Sequence, residues 1–105
     1  MTARELIDKN IGDIVTLCRR YHVVRLSLFG SALSAEWDEG RSDIDFLVVY
    51  GPERFSLDPL DAVVGLQIDL EELLRRKVDV VDADAIRNPV FRTTAQEEAV
   101  ELYAA

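Results

Sequence analysis

Seven residues, Ile44-Asp45-Phe46-Leu47-Val48-Val49-Tyr50, make a nearly continuous apolar run that Gly51-Pro52 brings to a stop. A run of this length without strict alternation predicts a buried central strand. The rest of the chain is short. Its 105 residues leave room for one core, and 49% apolar against 30% charged residues describe an ordinary globular domain. Residues 1–105 are therefore read as a single domain.

Other elements follow from punctuation and periodicity. Thr2 and Glu5 read as a capping box, and Leu6, Ile7, Ile11, Ile14, Val15 and Cys18 recur at helical spacing, so a first helix is expected to about Tyr21. Val23 to Phe29 alternates as a strand and stops at Gly30-Ser31, with a short helical turn expected over 32–35 and a polar loop over 36–42. Asp58-Pro59 opens a second long helix to about residue 76, and Lys77 to Val81 is a short β-branched strand. Asn88-Pro89 repeats the cap signal before Phe91, Ala95, Ala99 and Leu102, so the chain is expected to end on a helix. The order implies an α+β domain, a sheet of three or more strands packed with helices.

Composition removes several chemistries. One His and one Cys cannot supply a zinc finger or an internal disulfide, which leaves carboxylates as the chemical resource. Twelve basic residues against twenty acidic ones give a formal charge of −8, which repels a phosphate backbone, so direct nucleic-acid binding is not expected. The charged start MTARELIDKN is no signal peptide, and nothing approaches the ~20 apolar residues of a membrane span. The expectation is a cytoplasmic protein without membrane contact.

Asp43 and Asp45 stand two apart at the entrance of the apolar run, so strand geometry puts both side chains on one face, with Cα atoms about 6.5–7 Å apart. Two carboxylates at that distance can share Mg²⁺ ions about 3.5–4 Å apart, the arrangement that clamps a phosphoryl group during in-line displacement. Alone, such a pair is most often solvated or capping. Gly30-Ser31, directly after a strand, adds a backbone and a hydroxyl able to hold phosphate oxygens, although a lone Gly-Ser is more often a turn and a cap. Asp79, flanked by Val78 and Val80, is a third acid, read as a metal ligand, as a base for an attacking hydroxyl, or as a wet edge residue.

Together these segments resemble the DNA polymerase β-like nucleotidyltransferase superfamily, and within it the minimal nucleotidyltransferases. The residues that carry the resemblance are Leu28-Phe29-Gly30-Ser31, Ser42-Asp43-Ile44-Asp45-Phe46-Leu47-Val48, the run Leu70 to Val81, and Arg87-Asn88-Pro89. It covers almost the whole chain and implies the small nucleotidyltransferase fold. By the resemblance, Gly30 and Ser31 correspond to the triphosphate-binding pair, Asp43 and Asp45 to the two metal-binding acids, and Asp79 to the third acid. It implies ATP as substrate, two Mg²⁺ ions as cofactors, and catalysis by Asp43, Asp45 and Asp79. It further implies an antitoxin of the HEPN/MNT type, which transfers AMP to a tyrosine of a partner HEPN-domain RNase toxin, in a possible hetero-oligomer.

Two departures from the family pattern are visible. Eleven residues, Ala32 to Ser42, separate Gly-Ser from Asp-x-Asp where ten are usual, and Ala32 stands where a basic residue often follows Gly-Ser. Arg41 is the nearest candidate to meet phosphate charge, or else a loop arginine paired with Asp38 or Glu39. Two other functions stay open: a non-catalytic antitoxin that blocks its toxin by binding, and transfer to a small molecule, which the lack of a second domain disfavours. Trp37 is read as a stacking surface beside the site or as an aromatic packed onto the domain, and Cys18 as a small core residue.

Overall fold

The computed structural model describes residues 1–33, 37, 38 and 40–105. Helix α1 (Ala3–Lys9) starts on its predicted box, with the Glu5 N–H donating to the Thr2 hydroxyl at 3.1 Å and the Thr2 N–H to the Glu5 carboxylate at 3.4 Å. The single helix expected to Tyr21 is two, because α2 (Ile11–Arg20) begins anew after Asn10. The Asn10 side chain donates to the Leu6 carbonyl at 2.9 Å and its backbone sits at φ −112°, ψ 13°, so a local side-chain bond competes with the helical ladder. Ile7, Ile14 and Cys18 nevertheless stay fully buried in the same core.

Strand β1 (Val23–Phe29) pairs antiparallel with β2 (Ile44–Tyr50), and β2 pairs parallel with β3 (Val78–Asp82). A fourth strand, β4 (Val100–Ala104), lies antiparallel on the far edge of β1, giving the order β3-β2-β1-β4. This corrects the expectation of a helical end. Helix α4 (Pro89–Glu98) keeps its Asn88 cap, then Ala99 turns extended and Leu102, assigned to the helix by spacing, falls in β4. The edge of β1 would otherwise carry unpaired N–H and C=O groups, a long-range demand that outweighs local helical spacing.

β2 is covered on both faces, which accounts for its missing alternation. Ile44, Phe46 and Val48 join Ile14, Leu66, Leu70 and Leu74 in the main core, while Leu47 packs with Ala83 and Ala95, against Val49 and Ile86, on the opposite face. The crossover to β3 is a turn of π-helix, Asp61–Gly65, continued by α3 (Leu66–Leu74). A Cβ on Gly65 would stand 2.5 Å from Tyr21 Cε1, so glycine there admits the Tyr21 ring against the helix.

Helix α3 ends at Leu74 rather than near residue 76, because Arg75 takes the left-handed conformation at φ 54°, ψ 43°. The turn expected over 32–35 is a 3-10 turn over Gly30–Leu33, and the remainder of that expectation, with Glu36 and Glu39 of the loop, lies outside the described residues. Among the described residues no helix is long and apolar enough to cross a membrane.

Candidate active site

Strand register assembles the site. Phe29, the last residue of β1, is the partner of Asp45, and Asp45 is in turn the partner of Asp79 on β3. Partners on adjacent strands send their side chains to the same face with strands about 4.8 Å apart, so the two carboxylates stand side by side. Asp45 is half-buried and Asp79 is exposed, so the β3 end of the row faces solvent. Asp43 immediately precedes β2, also half-buried, and its carbonyl accepts from Trp37 Nε1 at 3.1 Å. Trp37 thus follows the packed-down reading, lying partly buried against the main core beside the site.

Gly30 meets the row from the β1 side. Its φ is +70°, and a Cβ built on it would lie 2.5 Å from Asp45 Oδ2. Both the backbone conformation and the close approach to a carboxylate therefore require glycine. Ser31 follows in the same 3-10 turn, while the predicted role of its hydroxyl lies outside the described part of the structure. Ala32 is 6% exposed and belongs to the main core, so in this chain the position after Gly-Ser is packed inward.

The donor set suits Mg²⁺. Among the described residues no group of three or more His, Cys, Asp or Glu side chains already encloses a metal position. A closed cage is not what Mg²⁺ needs, since it keeps several waters and binds through one or two carboxylates plus substrate phosphates. Asp43 and Asp45 offer hard oxygens, and the missing Cβ of Gly30 leaves Asp45 Oδ2 room on that side.

On the β3 side of Asp43 the chain forms a cleft of about 370 Å³ lined by Gly40, Arg41, Ser42, Asp43, Arg75, Arg76 and Lys77. Arg41 is 89% exposed and reaches Asp38 only at 4.0 Å; the alternative partner Glu39 lies outside the described residues. The Arg76 guanidinium lies 5.5 Å from the centroid of the Trp37 ring. Sequence reading assigned no role to Arg75, Arg76 and Lys77, although three consecutive cations in so acidic a chain were the available signal. Another cleft, of about 410 Å³, is lined by α2 and α3 residues including Asp13, Arg20, Asp69 and Glu72. It touches neither Gly30 nor the carboxylate row, and we assign it no part in the chemistry.

Comparison with known proteins gives a consistent picture. Residues 14–102 match the family model described as nucleotidyltransferase domain. The chain is similar to a "putative protein adenylyltransferase" of Methanocaldococcus jannaschii, at 36% identity over 85% of this chain and 89% of that protein. It is similar to the solved structure of a "putative minimal nucleotidyltransferase", with a TM-score of 0.77, 31% identity and 95% of each chain covered. It also resembles a chain in the solved complex of tri-AMPylated Shewanella oneidensis HEPN toxin with MNT antitoxin. There the TM-score is 0.63 at 25% identity, covering 93% of this chain and 72% of that one.

Proposed function

This chain belongs to the nucleotidyltransferase domain family, and from that premise we propose that it is a protein adenylyltransferase acting as an antitoxin. It takes AMP from ATP, attaches it to a tyrosine hydroxyl of a HEPN-domain toxin and releases pyrophosphate. The observation that carries this reading is the row of Gly30, Asp45 and Asp79, which brings a left-handed glycine in close approach to one acid and sets two acids from separate strands side by side at one sheet end. The M. jannaschii relative and the AMPylated HEPN complex support AMP as the transferred group and a protein as acceptor.

In this mechanism the backbone after β1, at Gly30 and Ser31, receives the β- and γ-phosphates. Asp43 and Asp45 would hold two Mg²⁺ ions, with Asp79 on the acceptor side and Arg41 meeting phosphate charge. When bound, the ions neutralise charge that develops around the α-phosphorus. Asp79, exposed, accepts the phenolic proton as the tyrosine oxygen bonds to the α-phosphorus and the bond to the bridging oxygen of pyrophosphate breaks. The domain's main contribution is positioning, because phosphoryl-type transfer asks little covalent help of the protein.

The acceptor is a second protein in a hetero-oligomer. The net charge of −8 complements a basic, RNA-cleaving partner, and Phe55 (87% exposed), Leu60 and Val63 leave apolar side chains in water that an interface can cover. The reading places the protein in the cytoplasm, with neither nucleic acid nor membrane as a direct ligand. It is tested by incubating a HEPN-domain protein of the same genome with this chain, Mg²⁺ and ATP labelled at the α- or the γ-phosphate. Label retained on the partner from the α-position alone supports AMP transfer; label from the γ-position, or from neither, rejects it.

A further inference from the structure

The basic cleft beside Asp43 has no place in the mechanism beyond Arg41. We infer that it is a second phosphate-binding subsite, taking a phosphate group of a nucleotide on the side of Asp43 opposite Gly30. Four of the chain's twelve basic residues, Arg41, Arg75, Arg76 and Lys77, line this one cleft in a protein of net charge −8. Among the described residues neither Arg75 nor Lys77 is held in an ion pair, and Arg41 has only its 4.0 Å approach to Asp38. Guanidinium forks and an ammonium converging on one cavity are the donor set that phosphate oxygens call for.

Placement is fixed by topology. β2 lies between β1 and β3, so Gly30 at the end of β1 and Arg75 to Lys77 before β3 flank Asp43 from opposite sides. Arg75 caps α3 in a left-handed conformation that glycine or asparagine would fill at less cost. The inward-packed Ala32 leaves no cation directly after Gly-Ser, and this cleft is where the chain concentrates positive charge instead. Two phosphates fit the chemistry: that of the donor nucleotide, or that of an AMP already joined to the acceptor. The second source rests on the adenylyltransferase reading; the cleft itself does not.

Trp37 is the only tryptophan, and it touches the cleft through Arg76, so its emission reports occupancy without any turnover. Inorganic pyrophosphate is titrated into wild type and into the Arg75→Gln, Lys77→Gln variant, which keeps Arg76 on the ring, with circular dichroism to verify folding. We expect a saturable change in wild type whose midpoint rises at least tenfold in the variant. No saturable change in wild type, or an unshifted midpoint in a folded variant, overturns the inference. Intact-mass analysis of the HEPN-domain acceptor then separates the sources. A raised KM for ATP with every transfer reduced assigns the cleft to the donor; a first AMP retained and later additions lost assigns it to the modified acceptor. A variant indistinguishable from wild type in both respects contradicts the inference, whereas a wild type that binds pyrophosphate but transfers nothing contradicts only the proposed function.

Discussion

A methyl group placed on Gly30 would stand 2.5 Å from Asp45 Oδ2, inside any tolerable contact, on a backbone already at φ +70°. Gly30→Ala therefore strains the turn and pushes the carboxylate aside at once. The left-handed conformation alone costs about 1–2 kcal/mol with a Cβ. We expect a folded protein with a lowered melting temperature and AMP transfer reduced at least tenfold. A variant with wild-type transfer would show that Asp45 is not held where the reaction needs it.

The pairing of Asp45 with Asp79 makes a different prediction, because Asp79 is exposed and has little packing to lose. Asp79→Asn is expected to change stability by less than about 0.5 kcal/mol, as exposed substitutions usually do. Loss of a general base is typically worth about 10²–10⁴ in rate. A pre-steady-state assay should find nucleotide binding retained and the transfer step slowed to that extent.

Arg54 ties the far end of the sheet to the π-turn. Its guanidinium donates to Asp82 at 2.5 Å and to the Ala62 carbonyl at 3.3 Å, and lies 4.1 Å from the centroid of the Tyr50 ring. Both partners of the ion pair are mostly shielded, with side chains 24% and 20% exposed. Removing one partner leaves the other charge stranded, so Arg54→Ala should destabilise by about 2 kcal/mol, below the cost of a fully buried pair. Denaturant unfolding measures this, and replacing Asp82 as well, Arg54→Met with Asp82→Leu, should recover part of the loss.

Alkaline stability follows from two buried acids. Burial pushes the Cys18 thiol up from 9.0 to about 12. Burial first, then the hydrogen bond to Asp69, raises the Tyr21 phenol from 10.0 to about 12. Above pH 9 the unfolded chain releases protons that the folded chain keeps, so stability is complete below that pH and declines as pH rises through 12. Tyr21→Phe with Cys18→Ala should flatten this decline in melting curves taken from pH 8 to 11; an unchanged slope would place its origin elsewhere.

Much of this organisation was readable from residues alone. Thr2, Asn88 and the Ile44–Tyr50 run act through local bonds or through composition, and each does in the fold what its pattern implies. At Asn10 and at Leu102 the fold departs from the helices that spacing predicts, for opposite reasons. At Asn10 a single side-chain bond interrupts an otherwise continuous apolar stripe, and at Leu102 an open strand edge far away in sequence recruits residues with helical spacing. The register that joins Asp45 to Asp79 depends on a parallel crossover, so spacing could nominate both acids without showing them adjacent. Arg75 to Lys77 gained significance only when the fold brought them to Asp43.

The decisive measurement is the intact mass of the HEPN-domain acceptor after incubation with Mg²⁺ and ATP, using wild type and the Asp43→Asn, Asp45→Asn variant. Wild type is expected to add AMP-sized increments to a tyrosine with release of pyrophosphate, and the variant to add none while still binding the acceptor. A stable complex with no increment from wild type, or equal increments from the variant, would contradict a carboxylate-dependent AMP transfer.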